Sequence, residues 1–179
     1  MPHTPALKVQ KGTGVEQRRL DRFDPLNRRR FSAPGLRTFL RIADHWGLNE
    51  QERLLILGYP YRSRYISWCE QVQQKKQLTL NVDVLTRISA VLGIYQGLRV
   101  LFNDEPHAVD WLRTPHKAII FGGLPPLDLV TCGTQDGLLT VRRFLDSACE
   151  GRYMPPGKLD VGFSGYDDAD LVVRLPRDV

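Results

Sequence analysis

Between Trp111 and Val130 the chain reads WLRTPHKAIIFGGLPPLDLV, apolar enough for a core element yet interrupted by Pro115, Gly122, Gly123, Pro125 and Pro126. Proline removes a backbone donor and fixes φ, and glycine weakens helix and strand alike, so no continuous regular element runs through these residues. Any fold of this chain must seat a stiff, greasy, irregular segment between regular ones. Two uses are open. Ile119, Ile120, Phe121, Leu127 and Leu129 fill the chain's own core, or part of the set stands outside as a partner surface.

The segments on either side carry helical periodicity. Ser32 is placed to cap a first helix with Leu36, Phe39, Leu40 and Ala43 on one face and a stop near Gly47. Asn49, three residues before Glu52, opens a short second helix that Gly58 closes. Ser63 is placed to cap a third, with Tyr65, Ile66, Cys69 and Val72 at helical spacing. Asn81 starts a fourth that ends at Gly93, Ile94 to Phe102 makes a fifth, and Asp104 with Pro106 begins a sixth through Leu112. A brief turn from Pro126 to Val130 and a last helix from Thr134 to Glu150, inward on Leu138, Val141, Leu145 and Ala148, complete the list. The expected fold is all-α, a compact helical bundle. One strand-like run, Asp170 to Leu175, lies in a Gly- and Asp-rich tail too short for a domain of its own.

Charge divides the chain. Residues 1 to 42 hold 10 Lys/Arg against 3 Asp/Glu, while residues 101 to 151 hold 4 against 7. A basic front and a mildly acidic back point to different partners for the two halves. The run RRLDRFDPLNRRR, with Arg28, Arg29 and Arg30, fits either a solvated arm or a phosphate-binding one. The second and third helices with their tight turn have the outline of a helix-turn-helix, and the third shows Arg62, Arg64, Gln71, Gln73 and Gln74 before Lys75 and Lys76, residue types that reach bases and phosphates.

Chemistry of other kinds finds little support. Cys69, Cys132 and Cys149 have neither disulfide nor zinc spacing and are expected as buried thiols, and no metal site or cofactor is expected. His3, His45, His107 and His116 have no nucleophile in a recognisable order beside them, so no catalytic residue is assigned and the chain is not expected to be an enzyme. Lys11-Gly12-Thr13-Gly14 lacks the strand and the Gly-Lys-Ser/Thr of a phosphate loop, and Asp167, Asp168 and Asp170 lack the spacing of a calcium loop. Trp46, Trp68 and Trp111 read as core anchors. The N-terminus lacks the apolar centre of a secretory signal and no run spans a bilayer, so a cytoplasmic location is expected.

The order Ala108-x-x-Trp111-Leu112-x-x-Pro115, Phe121-Gly122-Gly123-x-Pro125-Pro126-Leu127-x-Leu129 and Val141-Arg142-x-x-Leu145 up to Gly151 resembles the toxin-binding domain of the Xre/MbcA/ParS antitoxin family. The preceding Ile42-Ala43-Asp44-x-Trp46-Gly47-Leu48, Leu57-Gly58, Ser63-Arg64-Tyr65-x-x-Trp68 and Leu85-x-Arg87-Ile88 to Tyr95 are similar to that family's Xre-like helix-turn-helix. The resemblance covers roughly residues 34 to 151. It implies a type II antitoxin, homodimeric, that binds and occludes a RES-domain toxin acting on NAD or using it for ADP-ribosylation, and that represses its own operon through operator DNA. A stand-alone helix-turn-helix regulator without a toxin is the alternative reading.

The expected division of the chain is a flexible basic arm at 1–31, an Xre-like domain at 32–103, a toxin-binding domain at 104–151 and a tail at 152–179, the arm and the tail lying outside the resemblance. The residues expected at DNA are Arg62, Ser63, Arg64, Tyr65, Lys75 and Lys76, with Arg28, Arg29 and Arg30 from the arm. Those expected at the toxin are Trp111, Leu112, Pro115, His116, Phe121, Gly122, Gly123, Pro126 and Leu127, with Arg142 and Arg143 at the rim. The mildly acidic tail suits a plug for a pocket that normally holds dinucleotide phosphates.

Overall fold

The computed structural model describes residues 24–151; the phosphate-loop fragment, the tail, its strand-like run and most of the basic arm lie outside the described residues. Within them the chain is all-α: α1 Pro25–His45, α2 Glu50–Ile56, α3 Arg62–Gln73, α4 Val82–Leu101, α5 Glu105–Arg113, a 3-10 turn Ile119–Phe121, α6 Pro126–Val130 and α7 Gln135–Cys149. No strand occurs among the described residues.

The first helix starts earlier than expected. Asp24 caps it, its carboxylate accepting the Leu26 N–H at 2.8 Å, and Pro25 takes the first helical position, where a missing N–H costs nothing. Ser32 is therefore no cap. It lies inside α1, fully buried, its hydroxyl donating to the Arg28 carbonyl at 2.6 Å and accepting the Leu80 N–H at 2.8 Å. One side chain thus ties α1 to the segment that leads into α4. Arg28, Arg29 and Arg30 stand on this helix and not on a flexible arm.

The capping box of Asn49 and Glu52 forms in both directions, at 2.9 and 2.7 Å. The third helix departs from expectation at its start: it begins at Arg62 after Tyr61, and Ser63 provides no cap. Gly58 takes a left-handed φ of 83°, which glycine alone adopts freely.

The largest revision concerns Gly93. No helix ends there; α4 runs unbroken over 20 residues with Gly93 and Gly97 on the side that meets α7. A Cβ at 93 would sit 2.6 Å from Arg142 Nε, and one at 97 would sit 3.1 Å from Leu145 Cβ. These glycines are in the helix interior because the neighbouring helix occupies the space a side chain would need, a use that outweighs glycine's weak helix propensity.

Packed between α1 and α7, α4 supplies Val84, Ile88, Val91, Ile94 and Leu98 to a core shared by both halves of the chain. It is the one described helix long and apolar enough to cross a membrane by length and composition, and these burials account for that apolarity. Trp46 and Trp68 join the core, whereas Trp111 is only partly covered. Cys132 and Cys149 are exposed and Cys69 is half-buried, contrary to three buried thiols. Across the halves, Arg113 donates to the Trp46 carbonyl at 2.5 Å and Arg87 to the Gly133 carbonyl at 3.0 Å.

Removing the Ser32 hydroxyl strands the buried Leu80 N–H. Ser32→Ala should cost about 1–3 kcal/mol, read as a lowered denaturation midpoint; a change within error would show that the α1 to α4 tie is dispensable.

Candidate functional site

The broken segment is built on four rings. Trp111 from α5, His116 from the following loop, Phe121 from the 3-10 turn and Phe144 from α7 each touch the other three, at centroid separations of 5.1 to 6.0 Å. Trp111 stacks on Phe144 at 17°, and Phe121 meets both edge-on, the offset and T-shaped arrangements that ring quadrupoles prefer. Backbone bonds close the loop over this base: the His116 N–H donates to the Leu124 carbonyl at 3.2 Å and the Ala118 N–H to His116 Nδ1 at 3.3 Å. An Nδ1 that accepts places any single ring proton on Nε2.

Gly122 and Gly123 turn the chain back with φ of 56° and 79°. Nothing lies within 4 Å of a Cβ built on either, so backbone conformation and not crowding selects glycine here. The turn leaves Ile119, Ile120 and Leu124 at 47, 44 and 56% exposure on the loop apex, while Phe121 between them in the chain is buried. Beside the loop, a groove of about 490 Å³ is lined by Leu101, Phe102, Trp111, Pro115 and His116 among others. Asp104, His107, Asp110 and Thr114 line the same groove, while the exposed part of the loop beside it is apolar.

Several residues expected at a partner are instead structural. Leu112, Phe121, Pro126 and Leu127 are buried, so they hold the loop from beneath. Arg142 lies across Gly93, donates to the Ser89 carbonyl at 3.2 Å and pairs with Asp146 at 3.5 Å, which makes it a strut between α4 and α7. Pro115, Gly122, Gly123 and Arg143 are exposed, with Trp111 and His116 half-exposed. Sequence reasoning passed over Phe144, although its place beside Leu145 on an amphipathic helix is the signal for an inward ring.

A second surface lies on α2 and α3. Ser63, Arg64, Lys75 and Lys76 are exposed, whereas Tyr65 is buried and drops out of any contact set. Burial pushes its phenol up to about 12, so it stays neutral in the core. Arg62 is exposed but engaged by Glu50 of α2, and their hydrogen bond lowers the Glu50 carboxyl from its ordinary range. Arg29 and Arg30 are exposed on α1, while Arg28 is half-buried with its Nε covered and without a partner. Among the described residues no group of three His, Cys, Asp or Glu side chains is placed to hold a metal ion.

The apolar loop on its aromatic base coincides with a recognised domain. Residues 97–151 match the antitoxin Xre/MbcA/ParS C-terminal toxin-binding domain. The match opens in the last turns of α4, so the helix at the centre of the core belongs to both halves. The chain is also 37% identical over 112 residues to the uncharacterized protein y4oB of Sinorhizobium fredii (strain NBRC 101917 / NGR234), covering 63% of this chain and 81% of that one. The chain thus carries, over residues 97–151, a toxin-binding domain like that of the Xre/MbcA/ParS antitoxins, and y4oB is a relative along most of its own length. No solved structure matches it.

The loop's geometry also depends on Gly137 in the first turn of α7, where an added Cβ would collide with the Leu129 carbonyl oxygen and Cys132 Sγ. Gly137→Ala should destabilise the protein by about 1–3 kcal/mol through overpacking, measured by chemical denaturation; an unchanged midpoint would mean that α6 yields freely.

Proposed function

We propose that this chain is the antitoxin of a type II toxin-antitoxin pair. Its C-terminal half binds a RES-domain toxin, one that degrades NAD or uses it for ADP-ribosylation, and covers that toxin's active site. Its N-terminal half is a helix-turn-helix that binds operator DNA as part of a homodimer and represses the operon. The protein works by occlusion and repression in the cytoplasm, without catalysis or a cofactor.

The observation that carries the toxin half is the loop apex of Ile119, Ile120 and Leu124 within the toxin-binding domain. Exposed branched side chains gain from burial against a partner, and a loop already fixed by four rings loses little entropy on docking. The DNA half is supported by exposed Arg64 on α3, by Lys75 and Lys76 just beyond its end, and by the basic start of α1. Arg62, engaged by Glu50, serves there as a support for the α2 to α3 turn.

Co-expression with the neighbouring RES-type gene tests the pairing. The wild-type chain should restore growth and co-elute with the toxin. Ile120→Asp combined with Leu124→Asp should weaken the complex at least tenfold, since charge is driven into a desolvated apolar contact, with helicity by circular dichroism unchanged. Full neutralisation by the double variant would place the toxin contact elsewhere.

A further inference from the structure

Eight described residues have positive φ, and six of them are the glycines at 47, 58, 122, 123, 133 and 151. The two exceptions are Tyr59, with φ 55°, and Lys75, with φ 54°. They flank the same element: Tyr59 comes three residues before the first residue of α3, and Lys75 comes two after its last. Both are exposed.

A side chain in the left-handed region carries a backbone cost that glycine does not, and such outliers persist where the side chain has a use. At position 59 the setting is doubly unfavourable, because Pro60 follows and the residue before proline prefers extended backbone at negative φ. Lys75 sits where helices usually end on glycine: its N–H donates to the Val72 carbonyl at 3.2 Å and the next N–H to the Gln71 carbonyl at 2.8 Å, the pairing of a glycine-type helix stop. Packing does not explain either choice. Tyr59 is 61% exposed, its hydroxyl only 3.5 Å from Gln51 Nε2, and Tyr61 beside it is 82% exposed. Lys75 makes no ion pair among the described residues.

We propose that Tyr59 and Lys75 are phosphate-contacting residues that fasten the two ends of α3 to the backbones of duplex DNA. The 12 residues of α3 rise about 18 Å. Where such a helix is seated in a major groove roughly 12 Å wide, residues just beyond its ends come within reach of the flanking phosphate backbones. A phenol hydroxyl and an ammonium are both donors to phosphate oxygen, and contacts of this kind set orientation without reading sequence. The proposal rests on the DNA half of the function above.

The test uses the full chain, a duplex from immediately upstream of its own gene and a random-sequence duplex, with affinity followed across a salt series. The wild-type chain should bind both. Tyr59→Gly and Lys75→Gly should each weaken binding about three- to tenfold on both duplexes alike, and Lys75→Gly should flatten the slope of log affinity against log salt by about one. Lys75→Arg should keep the wild-type slope. Melting temperatures of the glycine variants should be unchanged or higher, since strain is relieved where no packing is lost. Wild-type affinity and slope in both glycine variants would overturn the proposal while leaving DNA binding intact, as would a large loss of melting temperature or loss of toxin binding in place of DNA binding. Failure of the wild-type chain to bind either duplex would overturn the DNA half and this proposal with it.

Discussion

The approach of α4 to α7 is the constraint on which the rest depends. Gly93 and Gly97 clear a strip on α4, and Arg142 and Leu145 of α7 occupy it. Side chains at those positions would drive the helices apart, and with them the loop that Phe144 anchors one residue from Leu145. The arrangement also explains why the two halves share one core. A helix that contributes Val84 and Ile88 at one end and Leu98 at the other gives neither half a separate interior.

On that frame the irregular segment is held from beneath and leaves part of its apolar surface exposed. Prolines and the left-handed glycines set its course, the four rings pin it, and three aliphatic side chains remain outside. Such pre-organisation is what a protein-binding surface needs, because ordering cost on docking is largely removed. The toxin-binding domain of the family and the geometry of this loop are two independent observations that meet at the same residues.

Most of the fold was legible because caps and periodicity are local. Asn49 with Glu52, Asp104 with His107, and Thr134 with Gly137 all form the contacts their types imply. Errors arose where a residue's role was set by something distant in sequence. Gly93 reads as a stop until α7 is beside it, and Ser32 reads as a cap until Leu80 is above it. Asp24-Pro25 was a readable start signal, obscured by the surrounding arginines and by Pro34, which α1 carries in its interior. In the candidate site, sequence located the segment but not the direction of each side chain. An irregular backbone has no period, so nothing local separates inward Phe121 from outward Ile120. The same limit applies to Tyr65, whose neighbours Ser63 and Arg64 face solvent while it faces the core.

The central claim is that the family's toxin-binding domain works here through a preformed apolar loop. Hydrogen–deuterium exchange of the chain, alone and with its toxin, tests that claim most directly. The account expects residues 114–125 to exchange slowly enough in the free protein to report a formed loop, and to gain the strongest further protection on toxin binding. Protection confined to α2 and α3, or a loop that exchanges freely until the toxin arrives, would contradict it.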